Sequence, residues 1–146
     1  MYQRILVPID GSATSGRALD EAIKFAQQHN AQVEVIYVLE DILYFDSDDY
    51  LNYAELVHSM RCSGEKILAQ AQKKLQQAGI VTETKLLEAR GARVANIIAD
   101  EAKNNLADLI IIGTHGRSGF NRILLGSVAE GVVRTAHIPV LLIRGS

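Results

Sequence analysis

The residues best suited to chemistry lie in one fifteen-residue stretch, Gly113-Thr114-His115-Gly116-Arg117-Ser118-Gly119-Phe120-Asn121-Arg122-Ile123-Leu124-Leu125-Gly126-Ser127. Its four glycines allow tight turns and let backbone approach a ligand where a Cβ would intrude. It carries Arg117, Arg122 and His115 but no Asp or Glu. The apolar run Leu109 to Ile112 before it reads as a buried strand, and a helical pattern beginning Val128-Ala129-Glu130 follows. A helix start presents unpaired N–H groups and the positive end of its dipole, both favourable to an anion. The chemistry implied is the holding of phosphate. Ser127 with Glu130 also fits a capping box, which needs no ligand, and either loop arginine could clamp a phosphate or remain solvated.

Transfer of that phosphate is a separate matter. Efficient hydrolysis needs a lysine, a metal carboxylate and a group that positions water. The stretch holds neither Lys nor carboxylate, so a Walker-type loop is excluded, and at most slow hydrolysis is expected. Asp10 is the one obvious acid that can reach the loop, although it could equally cap or brace the first helix. His29, His58 and His137 are scattered without metal-ligand spacing. A divalent cation, if one takes part, arrives with the phosphates.

Ordered elements must bring Asp10 to the loop. Ile5 to Ile9 is a short branched run, a first buried strand despite Pro8 near its end. Ala18, Leu19, Ala22, Ile23 and Ala26 recur at helical spacing before Asn30. Gln32 to Leu39 is a second strand, Glu65 to Ala78 a second helix stopped at Gly79, and Ile80 to Leu87 a third strand. A helix opening at Gly91-Ala92, a strand from Ala107 to Ile112, a helix from Ser127 to about Ala136 and a strand from Pro139 to Ile143 complete the chain. Strands alternating with helices require crossover connections. The expected fold is α/β, a doubly wound five-stranded parallel sheet of order 3-2-1-4-5 with helices on both faces. Its switch point lies between strands one and four, where ligands of such sheets sit. Asp10 and Gly113 end those two strands.

With 146 residues, 48% of them apolar, the chain is expected to form a single domain over residues 1–146. A formal charge of −2 argues against a protein that grips nucleic acid. Cys62 is alone, which excludes an internal disulfide and a multi-cysteine zinc site. Met1-Tyr2-Gln3-Arg4 leads directly into the first strand, with neither a signal-peptide pattern nor a membrane span, so a cytoplasmic protein is expected. The stretch from Glu40 to Tyr53 departs from the pattern. It gathers Asp41, Asp46, Asp48 and Asp49 with Tyr44, Phe45, Tyr50 and Tyr53. It reads as a solvated, partly helical excursion on the ligand side, with a lid or a partner-facing surface as the other reading.

The spacing Gly113-x2-Gly116-x9-Gly126-Ser127 resembles the signature of the ATP-binding branch of the universal stress protein family. So do Ile5-Leu6-Val7-Pro8-Ile9-Asp10-Gly11-Ser12 as opening strand and turn, Ala107 to Gly113 as fourth strand, and Ile138 to Ile143 as closing strand. The resemblance implies ATP as ligand, with Mg2+ or Mn2+ on its phosphates. It implies Asp10 at the ribose, Pro8 and Ile9 near the base, and Val38 against the adenine. Gly113 and Gly116 would shape the turn, with Arg117 near the phosphates, while Gly126, Ser127 and Val128 would donate backbone N–H groups to them. The role implied is a nucleotide-dependent stress-response or signalling switch.

Two other functions fit the same sheet less well. A flavodoxin-like flavoprotein would use Gly11-Ser12-Ala13-Thr14-Ser15-Gly16 as its phosphate loop, but Phe120 is the only aromatic after Tyr53 to stack on a flavin. A phospho-acceptor receiver needs an aspartate ending strand three and a late lysine, where this chain has Glu88-Ala89-Arg90 and no lysine in the last strand. A ligand-free interaction module would leave the glycine loop unexplained. The apolar last strand, Val140 to Ile143, would be a bare sheet edge, and pairing with its symmetry mate predicts a homodimer.

Overall fold

A computed structural model describes residues 2–40, 50–115 and 125–145. Strand β1 (Arg4–Pro8) leads to helix α1 (Ala13–His29), then β2 (Gln32–Leu39), α2 (Tyr50–Gln77) and β3 (Thr82–Glu88). Helix α3 (Val94–Asn104), β4 (Leu109–Gly113), α4 (Ser127–Thr135) and β5 (Val140–Ile143) follow. All pairings among the described strands are parallel and the order is β3-β2-β1-β4-β5, as the alternation of strands and helices predicts.

The strand side chains divide between two cores. Ile5, Val7, Val33, Val35 and Ile111 pack beneath α1 and α2, with Leu19, Leu68 and Leu75 among the helical contributors. Leu6, Ile36, Ile110 and Ile112 pack on the other face beneath α3 and α4, against Ile98 and Val132. This is the two-residue period of a sheet covered on both sides.

Helix α1 is capped by Ser12, whose Oγ accepts from Ser15 N at 3.1 Å. It ends at Asn30, whose left-handed φ of 53° allows its N–H to reach the Ala26 carbonyl.

One element departs from expectation. Helix α2 begins at Tyr50, not Glu65, and runs 28 residues. Gly64, just before the expected start, lies within the helix and is buried. A Cβ there would stand 2.7 Å from the Tyr37 ring, so the glycine lets α2 lie close against β2. Met60 and Val57, one and two turns before it, pack on the same core as Ile67. Tyr50 and Tyr53 of the acidic, aromatic excursion therefore belong to a helix. Asp41, Tyr44, Phe45, Asp46, Asp48 and Asp49 lie outside the described residues. Among the described residues, no helix is long and apolar enough to cross a membrane.

Candidate functional site at the switch point

Because β1 lies between β2 and β4, the residues leaving their C-terminal ends converge. They line a cavity of about 440 Å3, within the ordinary range of small-ligand sites. Pro8, Ile9 and Asp10 come from the end of β1, Val38 from β2, Gly113 from β4, and Gly126, Ser127 and Val128 from the start of α4. Eight of the ten residues singled out from sequence thus share one cavity. The other two, Gly116 and Arg117, lie outside the described residues, as does Arg122.

Asp10 is held by its own turn. Ser12 N donates to its Oδ1 at 2.9 Å, and Gly11 takes a φ of 84° to make the bend. Asp10 is therefore not the helix cap, a role Ser12 fills; it braces the turn and lines the cavity.

The start of α4 differs from a capping box. The N-cap is Gly126, with no side-chain cap hydrogen bond, and Glu130 N donates to the Gly126 carbonyl at 2.9 Å. Glu130 is also spoken for, since Arg134 Nη2 donates to its Oε1 at 2.8 Å. Ser127 is one position too late to cap. Ser127, Val128 and Ala129, whose N–H groups have no carbonyl behind them in the helix, line the cavity. Gly126 N donates to the Thr114 carbonyl at 2.7 Å, and Thr114 N to Ile143 at 2.9 Å, so the helix start is tied to the end of β4. A Cβ on Gly126 would stand 3.0 Å from that same carbonyl.

Sequence reasoning missed part of the lining. Val94 and Ile98, one turn apart on the inner face of α3, form an apolar wall, and Met60 of α2 contributes from the opposite side of the sheet. The 3.6-residue period already turns Val94 and Ile98 inward. Met60 was hidden by placing the helix start too late. Buried Thr114, whose Oγ1 lies 3.0 Å from His115 Nδ1, adds a polar group beside Gly113. Gly113 itself answers first to packing, because a Cβ there would meet Thr14 Cγ2 at 2.7 Å and the Thr14 carbonyl oxygen at 3.1 Å. Among the described residues, no group of three or more His, Cys, Asp or Glu side chains is placed to hold a metal ion.

The site thus brings together an anion-seeking helix start, a carboxylate and apolar walls. Comparison with known proteins gives this geometry a family. Residues 1–144 match the Universal stress protein family. A universal stress protein of Methanocaldococcus jannaschii is 35% identical over 144 residues, covering 99% of this chain and 83% of that protein. The structure of universal stress protein UspA from Lactobacillus plantarum superposes with a TM-score of 0.87 at 28% identity, over 98% of both chains. A universal stress protein in complex with cAMP superposes at 0.73 with 27% identity, over 99% of both chains. One from Archaeoglobus fulgidus in complex with dAMP superposes at 0.65 with 27% identity, over 97% of this chain and 98% of that one. The chain belongs to the universal stress protein family.

Proposed function

We propose that this chain binds ATP in the switch-point cavity and serves in the cytoplasm as a nucleotide-dependent stress-response or signalling switch, with hydrolysis at most slow. The observation that carries the reading is the start of α4, which has no side-chain cap and whose first residues, Ser127 and Val128, line the cavity together with Asp10 and the apolar walls. Phosphate oxygens suit those donors. A ribose hydroxyl suits the Asp10 carboxylate, and a flat base suits the space between Val38 and the α3 residues Val94 and Ile98. The complexes of two relatives with cAMP and dAMP support an adenine nucleotide as the ligand class. Mg2+ or Mn2+ would come bound to the triphosphate, since the lining offers Asp10 and Glu40 as its only carboxylates among the described residues.

Calorimetric titration with Mg-ATP tests the assignment. Wild type is expected to bind, and Ser127→Ala to bind roughly tenfold more weakly, the loss of one hydrogen bond to a charged acceptor. The thermal midpoint of that variant should hardly move, because Ser127 does not cap α4. Equal affinity in the two proteins would remove the Ser127 hydroxyl from the phosphates.

The same proposal includes a homodimer through β5. Among the described strands β5 pairs only with β4, and Leu141 on it is 38% exposed. Val140 and Leu142 turn inward against the α3 and α4 core, so a charge at Leu142 would test folding as much as association. Leu141→Lys is the cleaner probe. Sedimentation should show it shifted towards monomer relative to wild type, and an unchanged dimer would refute this interface.

A further inference from the structure

Away from the cavity mouth, on the α3 side of the sheet, three carboxylates gather around one ammonium. Glu34 of β2 pairs in register with Glu83 of β3, and Lys85 lies two residues further along β3 on the same face. Lys85 Nζ lies 2.8 Å from Glu101 Oε2 of α3, 3.3 Å from Glu34 Oε2 and 3.5 Å from Glu83 Oε1. Glu34 and Glu101 are the buried members, 7% and 9% exposed, and both carboxylate oxygens of Glu34 are buried with no hydrogen-bond partner. Arg4 of β1 and Asn105 at the end of α3, with Gln32 and Thr82, join Glu34 and Glu83 in lining a small cavity of about 130 Å3. Arg4 Nη2 donates to Asn105 Oδ1 at 3.2 Å, and Asn105 Nδ2 to Glu83 Oε2 at 3.3 Å.

One lysine cannot neutralise Glu34 and Glu101 together while Glu83 also draws on it, and a buried carboxylate without donors is costly. We propose that Glu34 and Glu101 hold one proton between them, and that its release loosens the seating of α3 and the cavity wall that α3 carries. A proton on Glu34 makes it a donor to the Glu101 carboxylate, leaving Lys85 to Glu101 at its shortest contact. Without the proton, two buried negative charges face each other across the contact between β2 and α3. Ile98 stands one turn from Glu101 on the same helix, and Val94 one turn further, both on the cavity.

Burial first, and the Glu101 carboxyl second, push Glu34 up to about 7, against the pull of Asn105 and Lys85. Burial opposes the charge on Glu101, but the neighbouring Glu34 carboxyl and Lys85 outweigh it and hold Glu101 below the ordinary range. The Glu101 contribution is therefore lost only in acid, below the usual carboxylate value. That of Lys85, raised by its bond to Glu101, is lost only in strong alkali. Between these limits Glu34 governs. Its proton is bound more tightly in the folded state, so the stability it lends is full below about 4.5 and declines as pH rises to about 7.

Denaturant unfolding of wild type and Glu34→Gln from pH 5 to 8 tests this. The ratio of their folding constants, wild type over variant, should fall about tenfold per pH unit up to about pH 7 and then level off. Taking the ratio removes the histidines, which titrate in both proteins. Hydrogen exchange of the α3 amides, again as a ratio of the two proteins, should accelerate over the same interval. In 13C-labelled wild type one glutamate carboxyl should titrate near 7, be missing from Glu34→Gln and move lower in Glu101→Gln. That spectrum keeps the proposal testable if Glu34→Gln folds poorly. Parallel pH profiles, or no glutamate carboxyl titrating above the ordinary range, would overturn it. The link to the cavity rests on the nucleotide reading, under which ATP affinity falls across the same pH interval in wild type only. Exchange that still switches in a protein that binds no ATP at any pH would sink the nucleotide reading and leave the proton switch standing.

Discussion

Gly126→Val is expected to weaken ATP binding at least a hundredfold, about 2.7 kcal/mol, while leaving a folded protein. Gly126 is the N-cap of α4 with φ −63° and ψ 157°, a conformation open to any residue, so backbone strain is not the issue. The obstacle is space. A Cβ would stand 3.0 Å from the Thr114 carbonyl oxygen and 3.4 Å from His115 Cα, both backbone atoms that a side-chain rotation cannot move. Valine adds two methyl groups to that contact. The hydrogen bond from Gly126 N to Thr114 must lengthen, and the start of α4 must swing away from the end of β4. The N–H groups of Ser127 and Val128 move with it, and electrostatic donors lose most of their value when displaced by an ångström. Overpacking at one helix end should cost about 1–3 kcal/mol of stability, which a small domain survives. Titration with Mg-ATP, paired with a thermal melt, checks both halves. Near-wild-type affinity in a folded variant would place the phosphates elsewhere.

The glycines show where the sequence was legible and where it was not. That a glycine loop joins β4 to α4 beside Asp10 could be read directly, because the order of strands and helices dictates a parallel sheet and the sheet dictates its switch point. The reason for each glycine could not. Gly64 stands just before the expected start of the second helix, but its bare face accepts the Tyr37 ring from a strand more than twenty residues earlier. Gly113 sits in a phosphate-loop pattern, yet its missing Cβ makes room for Thr14 of α1. Ser127 and Glu130 have capping-box spacing, and a helix beginning one residue earlier gives the cap to Gly126 and Glu130 to Arg134. Glu34 reads as the polar position of an alternating strand. Only the placing of α3 over β2 and β3 makes it a buried acid among competing carboxylates. In each case the local pattern was present, and at Gly64, Gly113 and Glu34 a tertiary neighbour decided its use.

Gly131 extends this to a prediction of sign. It lies inside α4, where alanine is ordinarily worth about 1 kcal/mol more than glycine, so Gly131→Ala would stabilise an isolated helix. In the folded protein a Cβ at Gly131 would stand 2.5 Å from the Cβ of Ala95 on α3. Ala95 is buried, packed with Ile98 and Val132 where α3 and α4 meet, so the contact opens only if the helices part. Gly131→Ala is therefore expected to destabilise by about 1–3 kcal/mol despite its better propensity. The larger Gly131→Leu should exceed 3 kcal/mol, at the upper end of core overpacking (~3 kcal/mol). Ala95→Gly returns the missing space at the cost of its own helix propensity. The double variant should therefore be more stable than Gly131→Ala alone, with a favourable coupling of at least about 1 kcal/mol in a urea double-mutant cycle. The consequence reaches the site, because α3 carries Val94 and Ile98 while α4 carries Ser127 and Val128 on the same cavity. ATP affinity should fall in Gly131→Ala and recover in the double variant. Additive stabilities would show that the two helices do not meet at these two residues, and unrecovered affinity would separate their packing from the nucleotide.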